Sequence, residues 1–297
     1  MLGIGGGGDV AGALAPAHLC RRLGAEPVLG GVSWERLPID PRPGPRSADE
    51  ILDARPVAPG IMLAGPETRT VDGAVFAESH MARLLGQDTV LVDVGLGPSA
   101  IADGLEQAVA TLAVDLLVFV DVGGDVLGTG TEPGLASPLC DAVMLAAAAL
   151  LQQRGLRLLG AIFGPCCDGE LTPEELLGQL ALLAAGRGLL GVDAVTTKMA
   201  DELERAVHEV PTEASAQALR CARGELGVGN IRAGRRTVPL SPLGATTVYF
   251  DAHRAVGTVA RLARMVLEAC DLDHAHELLK EDGVRTELDY ERERSPQ

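Results

Sequence analysis

Aromatic residues are scarce in this sequence, at 2% of 297 residues. Stacking of a ligand ring or of nucleic-acid bases is therefore confined to a few positions, and a base-stacking platform is not expected. Lysine is scarcer still, since it occurs only as Lys198 and Lys280. A Schiff-base lysine consequently has few candidates.

Basic residues are also fewer than acidic ones over the whole chain. The formal net charge is −16 and the isoelectric point is near 4.8. No long basic run offsets this excess of acid, so most of the surface repels a nucleic-acid backbone or an anionic membrane. We expect neither DNA, RNA nor membrane as a partner.

Long apolar segments and paired cysteine motifs are absent from the sequence. No apolar run reaches the ~18 residues that a membrane span requires. The first residues show no basic segment followed by an apolar one, as a signal peptide would. The six cysteines show no C-x-x-C spacing, so a zinc ribbon or a thioredoxin-type pair is not indicated. We therefore expect a cytoplasmic protein with reduced thiols.

Strand, loop and helix patterns alternate along the chain. TVLVDVG at 89–95, a helical segment near 100–113 and LLVFVDVG at 116–123 together predict a parallel βαβ unit. The two strands are almost continuously apolar, which indicates burial on both faces. The fold class predicted is α/β, Rossmann-like, with a mostly parallel sheet and helices on both faces.

A single domain is predicted over residues 1–280, with two irregular segments. Residues 33–60 carry six prolines, so we predict a loop there that serves as a lid or a wall of the site. Residues 281–297 mix acidic and basic residues and are predicted to form a flexible tail. The apolar segment 142–151 fits either the core or an interface, so a homo-oligomer stays open.

Four glycine-rich or polar loops follow predicted strands, at 5–9, 95–99, 123–130 and 164–170. In an open parallel sheet, ligands bind beyond the carboxyl ends of the strands, near the point where the strand order reverses. The first and third loops share Gly-Gly-Asp-Val and are predicted to face each other. Their ligand-binding candidates are Gly6, Gly7, Gly8, Gly123 and Gly124.

The first loop formally contains G-x-G-x-x-G, as Gly3, Gly5 and Gly8. This motif is weak here because consecutive glycines satisfy many patterns. Asp9 would also place negative charge beside the amides that bind a pyrophosphate. A dinucleotide site for NAD(P) is therefore disfavoured, and the Walker pattern of a P-loop is absent.

Asp125 and Asp9 are the leading catalytic candidates. Asp125 lies in a glycine loop without a helical pattern after it, so no helix cap is required of it, whereas Asp9 also suits an N-cap. In one cleft they would hold Mg²⁺, bind ligand hydroxyls or an amine, or divide into acid and base. Asp93 and Asp121 share the same VDVG position, and for both a structural and a catalytic role remain open.

The segment Cys166-Cys167-Asp168-Gly169-Glu170 follows another strand and precedes a helix. Cys166 and Asp168 are predicted as catalytic residues, because amides and a helix dipole can stabilise a thiolate there. A small buried thiol is the alternative for Cys166. Glu170 is predicted to bind substrate.

Arginines in loops are candidates for an anion clamp, since guanidinium groups bind phosphate or carboxylate bidentately. Arg42 and Arg46 are the first choice, and the other candidates are Arg232, Arg235 and Arg236. Ser137, which precedes Pro138, suits a helix N-cap and is also predicted to contact substrate.

Five stretches resemble the domain of unknown function 1152 family. They are GGGGDV at 5–10, WERLPIDPRPGPR at 34–46, FVDVGGDVL at 119–127, SPLCDAVMLAA at 137–147 and GPCCDGEL at 164–171. Together they span most of the first 175 residues. The resemblance implies a Rossmann-like fold and does not assign an activity.

The function predicted is an enzyme of small-molecule metabolism, primary or specialised, acting on a polar, anionic metabolite or nucleotide. Its chemistry would be carboxylate acid/base catalysis or Mg²⁺-assisted, as a lyase, hydrolase or transferase. One alternative is a non-catalytic ligand-binding or accessory protein. A second is an NAD(P)-dependent oxidoreductase.

Overall fold

The computed structural model describes residues 1–294. The strands are β1 Leu2–Gly3, β2 Gly30–Val32, β3 Ile51–Ala58, β4 Ile61–Thr70, β5 Thr89–Val92, β6 Leu117–Val122, β7 Leu158–Phe163, β8 Leu189–Ala194, β9 Gly227–Ile231, β10 Arg236–Leu240 and β11 Thr246–Phe250. The helices are α1 Asp9–Gly12, α2 Leu14–Arg22, α3 Ala77–Leu85, α4 Gly97–Thr111, α5 Pro138–Gln153, α6 Pro173–Ala185, α7 Thr197–Glu209, α8 Glu213–Ala222, α9 Ala252–Thr258, α10 Arg261–Met265, α11 Leu272–Glu281 and α12 Glu287–Arg294. Short 3-10 turns lie at Ala48–Glu50, Val94–Leu96, Asp125–Leu127 and Pro242–Ala245.

Within the described chain, nine strands form one sheet in the order β3-β4-β5-β2-β1-β6-β7-β11-β8. The five central strands, β5 to β7 in that order, are parallel. β4 and β11 run against their neighbours, while β3 and β8 run against those two in turn. Seven of the nine strands therefore share one direction, which confirms the predicted Rossmann-like, mostly parallel sheet.

The strand order reverses at the centre of the sheet. From β1 the chain builds outward through β2 and β5 on one side, and later through β6 and β7 on the other. β1 and β6 pair directly, with Leu2 opposite Phe119 and Gly3 opposite Val120. A crevice therefore opens beyond their carboxyl ends, where the loops that follow β1 and β6 face each other.

Both faces of the sheet are covered, as its apolar strands predict. In β6, Leu117 and Phe119 pack into the core on the α5 side, whereas Val118 and Val120 pack into the core on the opposite side. Helix α5 is buried along most of its length, so the apolar segment 142–151 belongs to the core of this chain. No helix within residues 1–294 is both long and apolar enough to cross a bilayer.

The proline-rich segment 33–60 differs from the predicted loop in its last third. Residues 51–58 form β3, which lies at the edge of the sheet, where Pro56 interrupts no central pairing. The irregular remainder is packed rather than loose, because Trp34 is fully buried and Arg46 pairs with Asp40 at 2.7 Å in the interior. This part of the segment forms a wall beside the crevice.

The predicted tail is not irregular over its whole length, because residues 287–294 form helix α12. α12 docks on the body of the protein with Leu288 buried. The Glu291 carboxylate accepts hydrogen bonds from Trp34 Nε1 at 3.0 Å and from the Gly44 amide at 2.8 Å. These contacts join residues far apart in sequence, so local composition does not reveal them. Residues 295–297 of the predicted tail lie outside the described residues.

A docked α12 predicts a clear cost for losing its buried apolar side chain. Leu288→Ala should lower the free energy of unfolding by about 2–4 kcal/mol, as large-to-small core changes do. Arg292→Ala is the matched control, since Arg292 lies on the exposed face of the same helix. Urea denaturation of the full chain measures both. Equal midpoints for Leu288→Ala and wild type would contradict the docking.

Candidate functional site

A cavity of about 310 Å³ opens at the point where the strand order reverses. Its walls come from the loop after β1, the irregular segment after β2, the end of β6, the start of α5, the loop after β7 and the start of α8. Acidic side chains dominate this lining: Asp9, Glu35, Asp121, Asp125, Asp141, Asp168, Glu170 and Glu213. We call this space the acidic cavity.

The loop after β1 needs its glycines for close packing. A side chain at Gly8 would lie 2.2 Å from Thr212 Cβ, and Gly6 has a left-handed backbone with φ of 79°. The compact loop lets Asp9 accept a hydrogen bond from the Gly5 amide at 3.0 Å. Asp9 is the first residue of the short α1, and its side chain folds back over the loop.

The end of β6 places two carboxyl groups in the cavity. Asp121 is the last but one residue of the strand, and Asp125 follows after Gly123 and Gly124. A Cβ at Gly123 would lie 2.1 Å from the Asp168 carboxyl carbon. Glycine is therefore required at 123 because the loop after β7 brings Asp168 against it.

Asp9, Asp121 and Asp141 form one group, which we call the Asp121 triad. One carboxylate oxygen from each lies within 4.8 Å of the others. Asp121 and Asp141 are 1% and 2% exposed. Asp121 Oδ2 and Asp141 Oδ1 have no hydrogen-bond partner among the described residues. Buried oxygens without donors are costly, and this set matches the oxygen ligands that Mg²⁺, Mn²⁺ or Ca²⁺ prefer.

Asp125, Asp168 and Glu170 form a second group, the Glu170 triad, with the same 4.8 Å spacing. Glu170 already accepts hydrogen bonds from the Ala136 amide at 2.6 Å and from the Ser137 amide and hydroxyl. Arg236 also pairs with it at 2.8 Å. Burial alone would raise the pKa of Glu170, but Arg236 and these donors hold it below its usual value. Arg236 therefore supplies a positive charge beside the Glu170 triad.

Burial, together with crowding, raises the pKa values of the other carboxyl groups in the two triads. Burial raises the pKa of Asp9 and of Asp168 to about 7. Burial also raises the pKa values of Asp121, Asp125 and Asp141 well above their usual range, and the neighbouring negative charges raise them further. At neutral pH this cavity therefore holds protons unless a cation replaces them.

The side-chain carboxylate of Glu287 lies at the N-terminus of α5. Glu287 from α12 accepts hydrogen bonds from the Leu139 and Cys140 amides, both at 2.9 Å. Arg36 joins it at 3.2 Å and also donates to the Gly5 carbonyl. Free amides at a helix N-terminus attract anions, so Glu287 satisfies donors that would otherwise face the cavity.

Most of the residues predicted from sequence do line the acidic cavity. They are Gly6, Gly7, Gly8, Asp9, Asp125, Ser137, Asp168 and Glu170. Gly123 and Gly124 lie behind it and permit the approach of the next loop. The predicted cap at Ser137 is absent, because its hydroxyl donates to Glu170 instead.

The structure corrects the choice of Arg42 and Arg46 as the anion clamp. Arg46 is 2% exposed and pairs with Asp40, so its guanidinium fastens its own loop. Arg42 is exposed and pairs with Glu50 and Asp72. Neither arginine lines the cavity. The sequence places both in a loop, but it does not determine the direction in which a loop side chain points.

Cys166 does not fit the predicted nucleophile. Its side chain is 1% exposed and belongs to the apolar core. Burial, together with the nearby Asp168 carboxyl, raises the pKa of the thiol to about 12. The thiol therefore stays protonated, in keeping with the alternative of a small buried side chain.

The two VDVG aspartates have different environments. Asp93 accepts a hydrogen bond from the Gly95 amide at 3.0 Å, and so caps the turn after β5. Asp121 lies on β6, one of the two strands at the reversal point, and reaches the cavity. Because β5 is separated from β6 by β2 and β1, equivalent sequence positions end in different surroundings.

Sequence reasoning missed Asp141, Arg36 and Glu287. Asp141 is the only acidic residue in the apolar run of α5, which is a detectable signal because a buried carboxyl needs a partner. Arg36 sits within the WERLPID stretch, but its pairing with Glu287 spans most of the chain. Nothing local in the sequence indicates that contact.

The fold and cavity define a Rossmann-like α/β protein with a carboxylate-lined pocket at the reversal point of its sheet. The chain belongs to the family of proteins of unknown function DUF1152, whose model matches residues 1–295. This confirms the resemblance seen in the sequence. No curated protein and no solved structure shows a significant match to the chain.

Removing one crowded carboxyl group should stabilise the metal-free protein. Because the folded-state pKa of Asp141 is raised, its contribution to stability is full at low pH and is lost as pH rises through that pKa. Asp141→Asn should therefore raise the free energy of unfolding at pH 8 by about 1–2 kcal/mol, and by less at pH 5. Urea denaturation with EDTA measures this difference.

Asp40→Asn is the contrasting control for the same measurement. Asp40 is equally buried but is paired with Arg46, so its loss leaves an uncompensated buried charge. We expect it to destabilise the protein by about 3–5 kcal/mol. The interpretation of a crowded, unpaired site is wrong if Asp141→Asn also destabilises at pH 8.

Proposed function

We propose that the protein is an enzyme that binds one divalent cation at the Asp121 triad and acts on a polar small molecule in the acidic cavity. The observation that carries this proposal is the pair of buried oxygens without donors, Asp121 Oδ2 and Asp141 Oδ1. A cation would satisfy both and would also separate the negative charges of the triad.

The donor set favours Mg²⁺ or Mn²⁺ over a softer metal. All three side chains of the Asp121 triad offer carboxylate oxygen. Neither histidine nor cysteine is among the residues that line the cavity. Zinc and copper sites in proteins usually include imidazole or thiolate ligands, whereas hard cations take oxygen.

The Glu170 triad is the weaker candidate for a cation. Arg236 already neutralises Glu170, and among the fully buried oxygens of this triad in the described chain only Asp168 Oδ2 lacks a hydrogen-bond partner. Asp125 and Asp168 instead suit proton transfer, because their raised pKa values let a carboxyl carry a proton near neutral pH. The bound cation would polarise the substrate or a water molecule beside them.

Several features favour this function over a dinucleotide-dependent oxidoreductase. The Asp9 carboxylate holds the Gly5 amide, and α1 is only four residues long. Two of the loop amides that could bind a pyrophosphate are therefore already used, since Gly5 donates to Asp9 and Gly7 donates to the Trp34 carbonyl. The reaction proposed is a hydrolysis or group transfer, and an anionic substrate enters because the cation offsets the cavity's charge.

The acidic surface and the small cavity also support a small-molecule ligand rather than nucleic acid or membrane. The net charge of −16 repels polyanions. The scale of the cavity, about 310 Å³, suits a metabolite. We place this activity in the cytoplasm.

Metal binding is the first test of the proposal. Metal-free protein titrated with Mg²⁺ or Mn²⁺ in a calorimeter should bind one equivalent. At a cation concentration of 100 Kd, binding stabilises the fold by about 2.7 kcal/mol, so the melting temperature should rise by several degrees. Asp121→Asn should abolish both the binding heat and the rise in melting temperature, because it removes a negatively charged ligand of the proposed cation.

Asp115→Asn is the matched control, since Asp115 is exposed and precedes the opposite end of the same strand. It should bind the cation as wild type does. Wild-type protein that shows neither heat nor a thermal shift with Mg²⁺, Mn²⁺ or Ca²⁺ would exclude the cation site.

Turnover is tested separately with Asp125→Asn. Wild-type protein loaded with Mg²⁺ is incubated with a fractionated extract of small metabolites, and consumption is followed by mass spectrometry. We expect a metabolite to be consumed by wild type and at least 100-fold more slowly by Asp125→Asn, as loss of an acid/base group predicts. If both bind the cation and neither consumes a metabolite, the protein is a non-catalytic binding protein.

A further inference from the structure

A second cavity, of about 290 Å³, adjoins the acidic cavity. The two share part of their lining, including Arg36, Ser137 and Arg232. We call the second space the arginine cavity. The two cavities are therefore immediate neighbours.

The arginine cavity has the opposite charge character from its neighbour. Five arginines line it, together with three glutamates: Arg36, Arg232, Arg235, Arg236, Arg294, Glu170, Glu287 and Glu291. This concentration of cations stands out in a chain with 25 basic and 41 acidic residues. The local surface attracts an anion where most of the molecule repels one.

Two of the arginines are already committed to the glutamates. Arg36 pairs with Glu287 at 3.2 Å, and Arg236 pairs with Glu170 at 2.8 Å. These two ion pairs fix the wall between the cavities. Their guanidinium groups therefore contribute positive charge but few free donors.

The other arginines retain donors for a ligand. In its contacts with residues 1–294, Arg235 uses only Nε, in a hydrogen bond to the Arg232 carbonyl at 2.9 Å. Arg232 lies 3.7 Å from Glu213, and its side chain is 48% exposed. Arg294 has no acidic partner within residues 1–294. Arg232 and Arg235 can thus present planar sets of N–H donors to an oxyanion.

The hairpin between β9 and β10 holds Arg232 where the cavities meet. The Gly234 amide donates to the Ile231 carbonyl at 3.1 Å and closes the turn. Arg232 and Ala233, neither of which is glycine, both have φ of 55°. This left-handed conformation costs about 1–2 kcal/mol per residue that is not glycine. Contacts with the surrounding structure therefore hold the turn in a conformation that these two residues do not favour by themselves.

Aromatic recognition contributes little at this place. Trp34 is fully buried, and Arg285 covers one face of Tyr290 at 3.9 Å. A nucleobase would therefore gain little stacking here. The oxyanion of the ligand is what these walls are suited to recognise.

We propose that the substrate carries a phosphate or carboxylate group, which binds in the arginine cavity through Arg232 and Arg235. Its reacting end lies beside the cation of the acidic cavity, and this second part rests on the proposed function. The substrate class is a small phosphorylated or carboxylated metabolite whose other end is polar enough to reach the cation.

The test uses the full chain and two simple probes, inorganic phosphate and succinate. Their affinities are measured by calorimetry with Mg²⁺ present and again in EDTA. We expect wild type to bind at least one probe. Arg232→Gln or Arg235→Gln should each weaken that binding about tenfold, and the double variant on the order of a hundredfold, because charge-assisted hydrogen bonds are lost.

Arg22→Gln is the control, because Arg22 is exposed on α2 and lines neither cavity. It should bind phosphate and succinate as wild type does, and circular dichroism checks that every variant is folded. The tighter probe identifies which anionic group the cavity prefers. The arginine site is overturned if wild type binds neither probe, or if the double variant binds as tightly as wild type.

Two further readings separate this proposal from the cation site. The Arg232→Gln/Arg235→Gln variant should keep full Mg²⁺ affinity, because neither arginine belongs to the Asp121 triad. Asp121→Asn should lose Mg²⁺ and still bind the anion in EDTA. If wild type binds no cation but binds the anion through these arginines, the arginine site stands and only the proposed cation site fails.

Discussion

Repulsion among buried carboxyl groups is the constraint on which the centre of this structure depends. The fold brings the ends of β1, β6 and β7 and the start of α5 to one cavity, and each contributes acid. Some of this charge is compensated within the chain, as where Arg236 pairs with Glu170. Within residues 1–294, Asp121 and Asp141 each have one buried oxygen without a hydrogen-bond partner. That imbalance of buried charge is the reason why we propose a cation at this site.

Long-range ion pairs assemble the walls around this imbalance. Arg36, in the segment after β2, contacts Glu287 and Glu291 in α12. Through Glu287 the same contact reaches the first amides of α5. The last helix thus connects the proline-rich wall to the most buried helix of the core. Packing and charge neutralisation act together here, because the ion pairs lie beside the buried Trp34.

The two adjoining cavities differ in the charge of their lining residues. In the function that we propose, the carboxylate oxygens of the acidic cavity bind a cation, and the guanidinium groups of the arginine cavity bind an oxyanion. A molecule with a cation-binding end and an anionic end matches both, whereas a simple anion or a simple cation matches one. Arg36 and Arg236 lie in the wall between the two cavities. Each pairs with a glutamate there, Glu287 and Glu170 respectively.

The sequence by itself determined the α/β class, the reversal-point loops and several acids at strand ends. These follow from local signals: apolar strands, glycines that allow tight turns, and polar residues directly after them, as at Asp9 and Asp125. Only the tertiary structure decided which charges meet. Asp141 joins the site from the first turn of α5, Arg46 turns inward to Asp40, and residues 287–294 form a docked helix. Periodicity reports burial and strand ends, whereas charge pairing depends on side-chain direction and on contacts between distant segments.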